Sequence, residues 1–495
     1  MSASPDRPNI VLIISDQHNP HFMGCAGNEL VQTPNLDRLA AQGVRFTNVH
    51  CPSPLCVPSR MAFMTGRYPS ENQVWSNGCQ LSSDIPTFAH GLGAGGYEAI
   101  LCGRMHFVGS DQFHGFERRI IGDVSGSHLT AEIRGTGSRG RTTGQSKYAV
   151  EVSGHGLQGY AAYDNAVTDT AVDFLNSDRD VERPFCMVVG YVLPHNPLIC
   201  SKELFDYYYE RLPAPEPMSS EYLGRLHPAV KSWRERRGID ELTPEQNRRG
   251  LAAYYGLCTE LDRNAGRVID AVRASSAAED TAIIYCSDHG DMACEHGMWW
   301  KSNFYTGSVQ VPCIASWPGH FEESKQVDAV ANLIDLGPTL LDLAGCDPLP
   351  NVSGCSLAGF LREGDGPGWE DTTFSEICPL LEDAPACMLR RGPWKMVYFH
   401  ETESFQLFNL DEDPGEMNDL RDSPEHQSQT EEMLAEIHAC WSAEYMLDQM
   451  AENKRAVQLI RKSGHSTIPH EIDDFVANEE DNAFDFGQLP WWPMD

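Results

Sequence analysis

The chain contains no run of about 20 uninterrupted apolar residues, so no membrane-spanning helix is expected. Basic residues are scarce. Lys and Arg number 37 against 71 Asp and Glu, a formal net charge of −34. A surface this acidic repels DNA, RNA and anionic membranes, so neither nucleic acid nor membrane is an expected partner. No internal repeat is present, and none of the stacked-repeat architectures applies. The N-terminus, MSASPDRPNIVLIISDQ, lacks the basic start and cleavage-type site of a secretory leader, and Asp6 precedes its apolar run. The 16 cysteines show no C-x-x-C between Cys51 and Cys56, and they fall in apolar contexts such as Ile283-Ile284-Tyr285-Cys286. They read mostly as buried free thiols, and the cytoplasm is the expected compartment.

What is present is material for a large core: 41% of the 495 residues are apolar, which excludes a disordered chain or a disulfide-stapled miniprotein. The run NIVLIIS (9–15) suits a strand buried on both faces, and it delivers Asp16, Gln17 and His18 at its end. Thr33-Pro34 then opens a helix with Leu36 and Leu39 on one face and Gly43 as its stop. The device recurs. EAILCG (98–103) runs into Arg104-Met105-His106, FCMVVGYVL (185–193) into Pro194-His195, and AIIYCS (282–287) into Asp288-His289-Gly290. Sites of open parallel sheets lie beyond the carboxyl ends of the strands, so these segments are expected to converge on one crevice.

The Gly- and Ser-rich stretch 122–162 reads as a loop or lid, and helices are expected at 163–175 and around 251–273. Beyond Gly345 the strand–helix alternation stops. Segments 386–391 and 394–400 flank Gly392-Pro393 as a hairpin, followed by FQLFNL (405–410), and a long helix is expected over about 428–462. The reading is an α/β fold: a large, mostly parallel sheet sandwiched by helices (1–360), a smaller antiparallel-sheet subdomain (361–425), and a helical, acidic tail (426–495). Trp491 and Trp492 in that tail are expected to dock on the body or on another subunit.

The segment Cys56-Val57-Pro58-Ser59-Arg60, followed by Thr65-Gly66-Arg67, places a cysteine at the positive end of a helix whose first turn carries Pro58. A cysteine there is by itself a weak signal, but the whole C-x-P-S-R and T-G-R pattern resembles the signature of the type I sulfatases of the alkaline phosphatase superfamily. Asp16-Gln17, Gly103-Arg104-Met105-His106, Pro194-His195, Asp288-His289-Gly290 and Lys301 occur in that family's order, and Leu407-Phe408-Asn409-Leu410 through Asp413-Pro414 resembles its C-terminal strand-turn motif. The resemblance spans about residues 8–425.

It implies that Cys56 is converted to formylglycine by a formylglycine-generating enzyme, and that the hydrated aldehyde attacks the sulfur of a small-molecule sulfate ester. It also implies a divalent cation held by Asp16, Gln17, Asp288 and His289 with the modified Cys56. Oxygen-rich ligation favours Ca2+, with Mg2+ or Mn2+ as alternatives. Arg60 would orient the formylglycine, Arg104 and Lys301 would hold the sulfate, His195 would protonate the leaving oxygen, and His106 would act as a base. Gln17 stands where many sulfatases have a second Asp, a feature that resembles the choline sulfatase and phosphonate monoester hydrolase branches, and Arg104 stands where the family usually has Lys, a departure from its pattern. Met105-His106-Phe107, Asp111-Gln112 and His114-Gly115-Phe116 also resemble choline sulfatases. A phosphonate monoester or phosphodiester hydrolase on the same site is the alternative reading. A metal- and anion-binding pseudoenzyme with unmodified Cys56 is a third, of another class.

Overall fold

The N-terminal apolar run becomes a strand whose alternate side chains enter two different cores, as its uninterrupted hydrophobicity requires. The computed structural model describes residues 7–124, 144–177, 183–378 and 384–462. In chain order the strands are β1 Asn9–Asp16, β2 Val44–His50, β3 Glu98–Gly103, β4 Arg118–Ile121, β5 Gly154–His155, β6 Phe185–Pro194, β7 Ile199–Cys200, β8 Thr281–Ser287, β9 Gln310–Ser316, β10 Lys325–Asn332, β11 Thr372–Ile377, β12 Ala386–Arg391, β13 Trp394–Phe399 and β14 Ser404–Asn409. Eight of them form one sheet in the order β10-β2-β9-β8-β1-β6-β3-β4, parallel except for β9, which runs antiparallel to both neighbours. Val11 and Ile13 of β1 pack on one face with the helices Gly159–Asn176 and Pro244–Ala274. Ile10, Leu12 and Ile14 pack on the other with the helices Cys56–Thr65 and Leu336–Leu343. This is the α/β fold expected.

The helix expected around 251–273 begins earlier, at Pro244. Thr243 caps it, taking the Gln246 amide at 3.2 Å while the Gln246 side chain takes the Thr243 amide at 2.8 Å. The polar opening Pro244-Glu245-Gln246-Asn247 has no apolar periodicity, so only its cap announces it. Leu257, Leu261, Val268 and Val272 share the buried face as expected.

β11–β14 form a separate antiparallel sheet in sequential order. The sequence marks β12–β14 but not β11, whose Ser375 and Glu376 are polar yet buried. Two readings are corrected. The helix expected over 428–462 is two helices, Gln427–Cys440 and Ala443–Lys462, because Trp441 adopts an extended backbone that lets its indole donate to Glu376 Oε2 at 2.8 Å. The stretch 122–162 is not all loop: it contains the helix Lys147–Glu151, β5 and the start of the Gly159–Asn176 helix, while 125–143 lies outside the described residues, as does the Trp491-Trp492 tail. No helix among the described residues is long and apolar enough to cross a membrane.

Candidate active site

The carboxyl ends of β1, β3, β6 and β8 deliver Asp16, Arg104, His195 and Asp288, and the strands are adjacent in the sheet. Close approach of the backbones is what allows it. A Cβ on Gly190 would lie 1.9 Å from the Arg104 carbonyl oxygen, and Gly103, at φ +98°, would bring one to 2.4 Å from that of Gly190. Just past β1, Gln17 takes φ 71°, which turns its amide to donate to Asp288 Oδ1 at 3.1 Å.

Cys56 is the first residue of its helix, with Leu55 extended before it and Gly66 closing the far end in the left-handed region. The rest of the motif ties this helix to the strand ends. Ser59 Oγ donates to the Asp288 carbonyl at 2.5 Å, and Arg60 Nε donates to Asp288 Oδ2 at 2.8 Å. Arg60 also reaches Asp16 Oδ2 at 3.3 Å and the carbonyls of Arg104 and Ser15 at 2.9 and 3.2 Å. One buried guanidinium thus fixes three strand ends and balances both carboxylates, and they in turn hold it above its ordinary pKa against the opposing effect of burial.

The Cys56 sulfur lies 3.2 Å from His289 Nε2, 3.2 Å from Lys301 Nζ and 3.6 Å from Asp16 Oδ1. The Cys56 thiol also lies near enough to His195 to oppose, in part, the lowering of that ring's pKa. Ligating atoms of Asp16, Cys56, Asp288 and His289 all lie within 4.8 Å of one another. The donor chemistry fits a divalent cation: two carboxylates converge with an imidazole whose Nδ1 faces the Gly290 carbonyl at 3.0 Å. A carbonyl can only accept, so the proton sits on Nδ1 and the Nε2 lone pair faces the cluster. Gln17 is placed differently from the other expected ligands. Its Oε1 accepts from Lys301 Nζ at 2.7 Å, and its Nε2 donates to Asp291 and Asn196.

Burial would raise the Asp16 carboxyl, but Arg104, His195, Lys301 and Arg60 around it hold it well below the usual carboxylate range. Burial lowers His289, His195 and His106 below the usual histidine range, reinforced at His195 by Lys301 and at His106 by Arg104. His195 Nδ1 lies 2.6 Å from the Asn196 carbonyl, which fixes its tautomer in the same way. Arg104 is shared among groups of this chain: Nε meets Asp16 Oδ2 at 3.0 Å, Nη1 Asp123 Oδ1 at 3.4 Å, and Nη2 His106 Nδ1 at 2.8 Å. The His106 amide donates to Asp123 Oδ2 at 2.9 Å.

Three residues of this network were not singled out in the sequence: Asp123, Asn196 and Asp291. Asp123 follows β4 and so sits at a fifth strand end, concealed in a stretch whose composition reads as loop. Asp291 is the fourth residue of Asp288-His289-Gly290-Asp291, and its buried carboxyl, raised by burial, accepts from the amides of Ala293 and Trp300 at 2.7 and 3.1 Å.

A nucleophile-type residue at a helix start, carboxylates and an imidazole at parallel strand ends, and this sheet order place the chain in the alkaline phosphatase superfamily. Within it, residues 8–346 match the sulfatase family model and 294–442 that of "N-sulphoglucosamine sulphohydrolase, C-terminal". The chain belongs to the sulfatase family and is an enzyme that hydrolyses sulfate esters. It is 33% identical over 440 residues to the choline-sulfatase of Rhizobium meliloti (strain 1021), covering 84% of this chain and 83% of the relative. It is 30% identical over 453 residues to an arylsulfatase of Clostridium perfringens, covering 85% and 92%. Among solved structures it is similar in fold to the phosphonate monoester hydrolase of Agrobacterium radiobacter, with a TM-score of 0.72, 24% identity, and coverage of 88% of this chain and 96% of that one.

Proposed function

We propose that the enzyme cleaves a sulfate monoester with formylglycine, made from Cys56, as nucleophile and with one divalent cation, Ca2+ in the first instance. The observation that carries this reading is the clustering of Asp16, Cys56, Asp288 and His289 with Lys301 on the same sulfur and His195 nearby. Asp16, Asp288 and His289 would hold the cation with the modified Cys56. Gln17 would join them only by sharing the oxygen that now accepts from Lys301. When bound, the ion offsets negative charge developing on the sulfuryl oxygens, and the geminal diol of a hydrated formylglycine supplies one oxygen for attack and a second for expelling sulfate.

The chain's own residues do the rest. Lys301 supplies a positive charge beside the nucleophile, and Arg104 supplies a second from behind Asp16. His195 holds its proton on Nδ1 against the Asn196 carbonyl, so its Nε2 would take up the proton released by the attacking hydroxyl and pass it to the leaving oxygen. His106 has its Nδ1 engaged by Arg104, so as a base it would act once that contact loosens. The carboxylates Asp16, Asp123, Asp288 and Asp291 outnumber the cationic Arg60, Arg104 and Lys301 by one. A divalent cation and a monoanionic ester together fill that deficit, whereas a dianionic phosphate monoester does not.

Peptide mass spectrometry of protein from a converting host is expected to show the Cys56 thiol replaced by an aldehyde or its hydrate, and Cys56→Ala is expected to fold and lose turnover. A fully active preparation holding only unmodified Cys56 would refute the mechanism. An activity panel of aryl, sugar and choline sulfates with phosphonate monoesters separates sulfatase from phosphonate hydrolase.

A further inference from the structure

Beyond β8 the segment from Asp291 to Lys301 is a loop closed at its neck. The Met292 amide donates to the Trp300 carbonyl at 2.7 Å, and Asp291 Oδ1 accepts from the Trp300 amide at 3.1 Å and the Ala293 amide at 2.7 Å. Lys301 follows Trp300 directly. Asp291 therefore fixes the backbone from which Lys301 Nζ reaches the Cys56 sulfur at 3.2 Å, and both side chains are buried.

The second oxygen of the same carboxylate, Oδ2, accepts from Gln17 Nε2 at 2.5 Å. This contact decides which way the Gln17 amide faces. A carboxylate only accepts, so the Gln17 nitrogen must lie toward Asp291 and the oxygen away from it. The other end imposes the same sense: an ammonium only donates, and Lys301 Nζ meets Gln17 Oε1 at 2.7 Å. Asn196 Oδ1, 3.4 Å from Gln17 Nε2, agrees with it. From Asp291 through Gln17 and Lys301 to the Cys56 sulfur, every donor meets an acceptor. A neutral amide can face a carboxylate on one side and an ammonium on the other. A carboxylate at position 17 could not, because it has no hydrogen to offer Asp291 and would set two buried negative groups against each other.

We propose that Asp291 is a positioning residue of the reaction: it closes the loop that carries Lys301 and turns the Gln17 oxygen toward the centre, so that the ammonium stands beside the nucleophile. It acts through Trp300 and Gln17 and not on the substrate. The inference rests on the sulfatase reading above and deepens it, and it gives a physical reason for glutamine at position 17. The carboxylate that the centre lacks there is the one that Asp291 supplies from behind.

The test is a swap of polarity in the full-length chain. In Asp291→Asn the two backbone amides keep the side-chain oxygen, so the new NH2 faces Gln17. Either it meets Gln17 Nε2, or the Gln17 amide turns and Nε2 meets the Lys301 ammonium, donor against donor in both cases. Gln17→Glu sets carboxylate against carboxylate. The double variant, Gln17→Glu with Asp291→Asn, keeps the total charge and restores each pairing, the introduced amide donating to one glutamate oxygen and Lys301 to the other. With converted enzyme, excess Ca2+ and the best sulfate ester, each single variant is expected to lose about 10- to 100-fold in kcat/KM, and the double variant to exceed both. Calorimetric titration with inorganic sulfate, which needs no turnover, should follow the same order. Crystal structures of the unconverted proteins should show Lys301 Nζ withdrawn from the Cys56 sulfur in Asp291→Asn and beside it again in the double variant. A double variant no more active than the better single one, or Lys301 Nζ unmoved in Asp291→Asn, would overturn the assignment. Should Asp291→Asn alone not fold, the gain or loss on adding it to Gln17→Glu decides. If the converted parent hydrolyses no sulfate ester, the sulfatase reading fails, while the crystal structures still decide the positioning.

Discussion

Arg104 links three groups that the sequence presents separately: Asp16 at the end of β1, Asp123 beyond β4, and His106 two residues further along the chain. A guanidinium can serve all three because its donors lie in one plane, pointing in different directions, whereas a lysine offers one centre. Arg104→Ala is expected to lower kcat/KM by roughly 30- to 1,000-fold, the range seen when a charge-assisted donor is lost from a dry site. Arg104→Lys should recover part of the loss, limited by the contacts to Asp123 and His106 that it cannot keep. Steady-state kinetics on the best substrate decide this, and a wild-type rate and KM in Arg104→Ala would remove the residue from the machinery.

Glu376 shows how an element is fastened to the body. It lies on β11, where its amide donates to the Pro52 carbonyl at 2.9 Å, just before the Cys56 helix. Its side chain accepts from the Ser70 amide at 2.6 Å and from the Trp441 indole at 2.8 Å. The small sheet, the segment around the nucleophile and the break between the last two helices therefore meet at this one residue, the first through its backbone and the last through its carboxyl. Burial pushes that carboxyl up to about 7 from an ordinary 4.5. The folded chain thus holds a proton that the unfolded chain releases: the stability this favours is fully present below pH 4.5 and is lost as the pH rises through about 7. At its full extent the effect is roughly 3 kcal/mol. Urea unfolding of the parent and of Glu376→Gln at pH 5 and pH 8 is expected to show the difference between them shifting toward the variant at the higher pH. A constant difference would mean that the carboxyl titrates as if exposed.

At the scale of the whole molecule, the cation and the fold are linked. Asp16 and Asp288 come from strands far apart in sequence and are brought together only on folding, so an ion bound between them is bound by the folded chain alone. Chelation is expected to lower Tm, corresponding to about 2.7 kcal/mol when the free ion had stood at 100 times its Kd, and added ion should restore it in a concentration-dependent way. Asp288→Asn should diminish that response together with turnover. A melting curve indifferent to chelator and to added ion, in parent and variant alike, would argue against a resident cation. Arg60, placed against both carboxylates, keeps the ion-free centre from being two uncompensated buried charges.

The local elements and the chemistry they carry can be read from the order of the amino acids alone. Continuous apolar runs ending in polar residues mark β1, β3, β6 and β8, because a strand buried on both faces has no other composition available to it, and the motif around Cys56 marks the helix that presents it. The order of strands in the sheet was not legible, since parallel strands pair across long crossovers that leave no local trace. Nor were β11, whose polar side chains are buried against partners from elsewhere, or the break at Trp441, which the distant Glu376 holds in place. The same reason accounts for Asp123, Asn196 and Asp291. Their importance lies in which side chains they meet, and those meetings are made only when the strand ends converge.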